Sequence, residues 1–136
     1  MATQDEIVKI PAGMEKFFGG GGEMVRPSVR TVVTFVSQIP AGKVATVEAL
    51  RSKIARKFDV HAACPTATMK SVLQAIDAKE QFCYWRLVKK GGQVIEQFPG
   101  GAKEHQRLLK QEGLAIDALK KVPVVKDFNS KLHVFK

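Results

Sequence analysis

The sequence predicts a mainly α fold: a three-helix core of winged helix-turn-helix type with a small β-hairpin wing. Three observations predict it. Three consecutive segments carry apolar residues at spacings of three and four, the period of a helix with one buried face. Two apolar runs then flank Lys90-Gly91-Gly92, whose glycines can take the positive φ angles of a tight turn. A last segment opens at Gly100-Gly101 and stops at Gly113, where a left-handed residue is favoured.

Residues 1–25 mix charges with an Ile-Pro step and the run Gly19-Gly20-Gly21-Gly22. Such a run has maximal backbone freedom and little to pack. They are expected to form a flexible N-terminal arm, with residues 26–136 as the folded domain and its C-terminal tail. The first helix starts after Pro27 and buries Val29, Val32, Val33, Val36 and Ile39, running to about Gln38. Val32-Val33 and Phe35-Val36 break the strict alternation a strand would need. Pro40-Ala41-Gly42 ends it, and Thr46 is placed to cap a second helix with Val47, Leu50 and Ile54 on one face. Cys64-Pro65-Thr66 opens the third, with Met69, Val72, Leu73 and Ile76 expected inside and Lys70, Ser71 and Gln74 outside. The hairpin is expected from Tyr84–Lys89 and Gln93–Gln97, and Leu114–Lys136 alternates weakly and should wrap the core.

The net charge is +9, and it is unevenly placed. From Arg26 to Lys90 there are twelve Lys and Arg against four Asp and Glu, whereas the remaining residues hold ten against nine. A basic middle segment fits a polyanionic partner, with a solvated basic face as the ordinary alternative. Two cysteines are too few for a disulfide framework, so a reducing cytoplasm is expected. No stretch approaches the roughly 20 apolar residues of a membrane span, and no signal peptide is apparent. His61 and Cys64 make one conceivable ligand pair without a second, and neither a phosphate loop nor a dinucleotide fingerprint occurs. No metal or cofactor is expected.

A helix-turn-helix followed by a hairpin places one helix in a DNA groove and the wing beside the backbone. The expected contacts are Thr66, Lys70, Ser71 and Gln74 from the third helix, with Lys43, Arg51, Lys53, Arg86, Lys89 and Lys90 on phosphates. Ile39-Pro40-Ala41-Gly42-Lys43-Val44-Ala45-Thr46, Arg86-Leu87-Val88, the two-glycine turn, Gly100-Gly101 and Leu108-Leu109 through Glu112-Gly113 follow one another in order over residues 29–113. Together they resemble the DNA-binding domain of the 6-O-alkylguanine DNA alkyltransferase family. In that family a Pro-Cys-His-Arg strand supplies the nucleophilic thiolate and its activating histidine. Here the matching stretch reads Phe82-Cys83-Tyr84-Trp85-Arg86. If Arg86 is the family's arginine, Tyr84 takes the cysteine position and Trp85 the histidine position.

Cys83 lies one residue early, which on a strand turns it to the opposite face, and no histidine follows it. It reads as a packed thiol. By the same resemblance the nucleotide-rotating tyrosine falls at Val47, the arginine that fills the vacated stack at Lys70, and the tyrosine-serine pair at Phe98-Pro99. Of the pocket network Glu112 remains without its histidine, and a glutamate before a helix-ending glycine also has an ordinary surface role. Tyr84, Trp85, Phe98 and Glu112 are therefore the lesion-pocket candidates. The resemblance implies a monomer of the catalytically inactive alkyltransferase-like branch, binding double-stranded DNA, alkylated or plain, and handing it to a repair-protein partner. Two alternatives stand beside it: an active methylated-DNA cysteine methyltransferase using Cys83, and a winged-helix regulator without lesion specificity.

Overall fold

The structure, a computed structural model, describes residues 3–136. In chain order its elements are β1 (Glu6–Lys9), α1 (Glu15–Phe18), β2 (Glu23–Arg26), α2 (Val29–Val36), β3 (Ala45–Thr46), α3 (Val47–Phe58), β4 (Ala62–Ala63), α4 (Pro65–Asp77), β5 (Leu87–Val88), α5 (Gly101–Gln111), β6 (Ile116–Asp117) and β7 (Val124–Val125). Short 3-10 turns lie at Ala12–Met14, Tyr84–Arg86 and Phe128–Lys131. The fold is mainly α with small sheets, as the sequence predicts. The described chain divides into two compact units, one holding the residues up to Phe35 with Leu50–Gln81, the other Val36–Ala49 with Phe82–Lys136.

In the first unit, the segment expected as a loose arm is structured. Strand β1 pairs antiparallel with β2, and β2 runs parallel to β4. The register sets Glu6 opposite Arg26 and Lys9 opposite Glu23, opposite charges across a ladder. Ile10 and Met24 are buried with Cys64 and Ala67, and Val8, Met14 and Phe18 pack on them. The tetraglycine serves a turn here: Gly19, at φ +75°, closes α1 with its N–H on the Glu15 and Lys16 carbonyls. Met1 and Ala2 of the expected arm lie outside the described residues.

Helix α2 begins at Val29 after Ser28, whose hydroxyl accepts from the Thr31 N–H at 3.2 Å, an N-cap that satisfies one of the first-turn donors. The Asp5 carboxylate accepts from the Ser28 N–H and the Thr31 hydroxyl at 2.7 and 3.0 Å. Helix α3 starts where Thr46 predicts, its hydroxyl accepting from the Ala49 N–H at 3.1 Å. Helix α4 starts at Pro65 but buries a different face from the expected one. Ala67, Thr68, Ser71, Val72 and Ala75 are inside, while Met69, Leu73 and Ile76 are half-buried. Small side chains at three- and four-residue spacing let the helix backbone come close to its neighbours, so the larger apolar groups flank the contact.

The second unit is built on a parallel pairing of β3 with β5, Ala45 opposite Leu87 and Thr46 opposite Val88. Its core is Val44, Val88, Val94, Leu109, Leu114 and Val125. The two-glycine turn forms: the Gly92 N–H bonds the Lys89 carbonyl at 2.8 Å and the Lys89 N–H bonds Gln93 at 2.9 Å. The long hairpin strands do not. Tyr84–Arg86 is a 3-10 turn, and Gln93 pairs instead with Val124 of the tail, which folds into the antiparallel pair β6–β7. Helix α5 ends at Gln111 with Glu112 as its C-cap, and Gly113, φ +86°, follows where the stop was expected.

Candidate functional site

The second unit concentrates its polar chemistry on the 3-10 turn Tyr84–Arg86. The Trp85 indole Nε1 donates to Glu112 Oε2 at 2.8 Å. Arg86 Nε donates to both carboxylate oxygens at 3.0 Å and Nη2 to Oε2 at 2.6 Å, while its Nη1 reaches the Ile39 carbonyl at 2.6 Å. The Gly42 N–H adds a contact of 3.3 Å to Oε1. The Arg86 and Glu112 side chains are only 16% and 12% exposed. Burial opposes the charge on Glu112, but the bonds from Arg86, Trp85 and Gly42 outweigh it and hold the carboxyl below the usual carboxylate range. The carboxylate in turn pushes the Arg86 guanidinium up, against its burial.

Arg86 was placed on phosphates; its Nε and Nη2 bond Glu112 and its Nη1 bonds the Ile39 carbonyl. Glu112, for which a surface role stood open, is instead the acceptor on which the turn closes. The Trp85 indole N–H and the Arg86 guanidinium thus share one carboxylate.

Tyr84 is half-buried in a ring cluster, its centroid 5.1 Å from Phe98, 5.4 Å from Trp85 and 5.8 Å from Phe82. These are tilted or edge-to-face arrangements, favourable for ring quadrupoles. Burial, with Glu104 nearby, pushes its phenol up, so it stays neutral. Phe98 is 2% exposed and lies 5.0 Å from His105. The sequence reading missed His105 as a structural residue. Its Nδ1 accepts from the Ile95 N–H at 2.8 Å and its Nε2 bonds the Trp85 carbonyl at 2.7 Å, which fixes the proton on Nε2. Burial lowers its pKa and keeps it neutral. Its position four residues before Leu109, on the apolar stripe of α5, was the available signal.

Cys83 stands immediately before this turn, so the strand alternation expected to orient it does not apply. Its sulfur lies 3.3 Å from the Val36 carbonyl oxygen and 3.7 Å from that of Ile39. The S–H is thus a donor to backbone oxygen. Burial pushes the thiol up, against the opposing pull of Arg86, so the nucleophilic thiolate is disfavoured.

Of the other expected contacts, Lys43, Lys89 and Lys90 in the second unit are exposed. In the first unit Thr66 and Lys70 are exposed on α4, and Gln74 is half-buried. A cleft of about 260 Å³ there is lined by Arg26, Lys70, Ser71 and Gln74, among others. Ser71 is corrected: it is 1% exposed and its hydroxyl donates to the Pro27 carbonyl at 2.7 Å, so its polar group is already used. Arg51 and Lys53 are half-buried on α3, with the Lys53 ammonium 5.7 Å from the Phe35 ring centre. Among the described residues no group of three His, Cys, Asp or Glu is placed to hold a metal, and no helix is long and apolar enough to cross a membrane.

Neither a protein-family model nor a curated protein matches the sequence. Two solved structures are similar. S. pombe Atl1 in complex with damaged DNA containing O6-carboxymethylguanine is 18% identical, with a TM-score of 0.56. S. pombe ATL in complex with DNA is also 18% identical, with a TM-score of 0.57. Each likeness covers 77% of this chain and 93% of the other. At that identity the likeness speaks for architecture: the chain has the fold of the S. pombe alkyltransferase-like protein.

Proposed function

We propose that this is a non-catalytic DNA-binding protein of the alkyltransferase-like kind, which holds alkylated guanine in duplex DNA without accepting the alkyl group. The observation that carries the reading is the turn Tyr84-Trp85-Arg86 closed on Glu112, a stretch that the sequence resemblance aligns with the transferase's thiolate and histidine. Alkyl transfer requires a nucleophile that can lose its proton and reach the carbon. A neutral phenol, an indole bonded to a carboxylate and a thiol directed at carbonyl oxygens do not supply one. What the site offers is a partly exposed aromatic face on Tyr84 backed by Trp85 and Phe98. Stacking of a base on such a face is worth roughly 1–3 kcal/mol.

The fold supports the reading, since of the similar structures S. pombe Atl1 is in complex with damaged DNA and S. pombe ATL with DNA. Thr66, Lys70 and Gln74 of α4 offer base and phosphate contacts, and Lys43, Arg51, Lys53, Lys89 and Lys90 offer cations for phosphates, so affinity falls steeply with salt. A bound lesion would mark the duplex for a repair-protein partner. Transfer through Cys83 is the less supported reading, because its sulfur is engaged with the Val36 and Ile39 carbonyls.

The test is a titration of fluorescent duplexes identical except for one 6-O-methylguanine, with the protein and its Tyr84→Ala variant. The protein should prefer the lesion, and the variant should lose about tenfold of that preference, the lower part of the stacking range. Equal affinity for both duplexes would favour a regulator without lesion specificity.

A further inference from the structure

The tail hairpin β6–β7 lies beyond the segment that resembles the alkyltransferase domain. Ile116 pairs with Val125 and Asp117 with Val124, and the Asp117 carboxylate accepts from the Leu119 N–H at 3.1 Å to shape the tip. At that tip Leu119 is 99% exposed and is followed by exposed Lys120 and Lys121. A lone exposed leucine is ordinary on a surface. This one differs by its placement, projecting from a turn with two cations beside it.

The hairpin is also tied to the two-glycine turn. Gln93 bridges Val124, the Val94 N–H bonds the Pro123 carbonyl at 3.0 Å, and the Val125 N–H bonds the Gly92 carbonyl at 3.0 Å. Its base is anchored by Val125 in the core, with Ile116, Val122 and Phe128 packed there. The turn adds Lys89 and Lys90, so four exposed lysines sit on two segments that share backbone hydrogen bonds. None of the four enters an ion pair with a described residue.

We infer that the β6–β7 hairpin is the DNA wing of this protein and that its tip enters the minor groove, with Leu119 as an apolar wedge and Lys120 and Lys121 on the flanking phosphates. The inference rests on the DNA-binding reading proposed above. The chemistry is that of proteins which press an apolar side chain against a base step while cations hold the backbone on either side. The occupant follows from charge and shape: a narrow, apolar-tipped, cationic projection suits a groove walled by phosphates.

The experiment uses the full chain with a duplex labelled at both ends, reading affinity at several salt concentrations and end-to-end energy transfer on binding. Leu119→Ala should weaken binding several-fold and reduce the bend-linked change in energy transfer. Lys120→Gln with Lys121→Gln should lower the slope of log affinity against log salt by about 1.8, two phosphate contacts' worth. All three positions are exposed, so thermal unfolding should match the parent protein and exclude misfolding. If the parent binds while both variants match it in affinity, salt slope and energy transfer, the wing is overturned and DNA binding stands. If the parent binds no duplex, both readings fall.

Discussion

Helix α4 and the Tyr84–Arg86 turn both place polar groups inside a small protein, and they satisfy them by opposite means. Helix α4 buries neutral hydroxyls, each with one backbone carbonyl: Thr68 on Cys64 at 2.7 Å and Ser71 on Pro27 at 2.7 Å. The turn buries a guanidinium and a carboxylate whose bonds join residues 39, 42, 85, 86 and 112. A neutral hydroxyl can be deleted at modest cost because little is left unsatisfied. Deleting one partner of a desolvated ion pair strands the other. The first arrangement is a packing device, whereas the second fixes the shape of a site.

That difference can be broken experimentally. Glu112→Gln should destabilise the protein by about 3 kcal/mol, the lower end for a broken buried pair, since both partners keep some exposure. Urea unfolding would measure it. Replacing both members, Arg86→Met with Glu112→Leu, should cost clearly less than Glu112→Gln alone, and a cost that merely adds would show the pair to be unimportant. Gly92→Ala should cost about 1–3 kcal/mol: its φ is +84° and a Cβ would meet the Phe128 ring at 2.7 Å. Ser71→Ala should cost about 1 kcal/mol and leave DNA affinity unchanged, which a binding titration would check. A drop in affinity would return Ser71 to the DNA-facing set.

The smallest effect expected is a pH slope. His105 has a folded pKa below its unfolded value of about 6.5, so the unfolded chain binds the extra proton. Its contribution to stability is complete above that value and is lost as pH falls through the folded pKa. Glu112 behaves alike, with loss beginning below its unfolded value of about 4.3. His133, lowered by partial burial, adds to the upper window. The His105→Gln variant should therefore lose less stability than the parent between about pH 7.5 and pH 5.5 in paired urea melts. Equal losses would remove His105 from the account.

What the sequence revealed was local. Thr46 as a cap, Pro65 as a start, Gly92 in a turn and Gly113 as a stop each depend on backbone chemistry within a few residues. The buried face of α4 was misread because it is made of small residues, which carry little hydropathic signal. The β1–β2 pairing was hidden because its charges, Glu6 and Arg26, are complementary only across a long separation. Glu112 looked like a surface residue for the same reason: its partners lie 26 and 27 residues away. The aromatic candidates were legible through the resemblance, which aligned Tyr84 and Trp85 with the reactive pair, but not the bond from the Trp85 indole to Glu112.

The most direct test of a site that holds the lesion without reacting is to incubate the protein with a duplex carrying one 6-O-methylguanine, measure binding, and then record the intact mass of the protein from the same sample. The account predicts tighter binding than to the plain duplex and an unchanged mass. A gain of one methyl group, abolished by Cys83→Ser, would contradict it and make Cys83 a nucleophile.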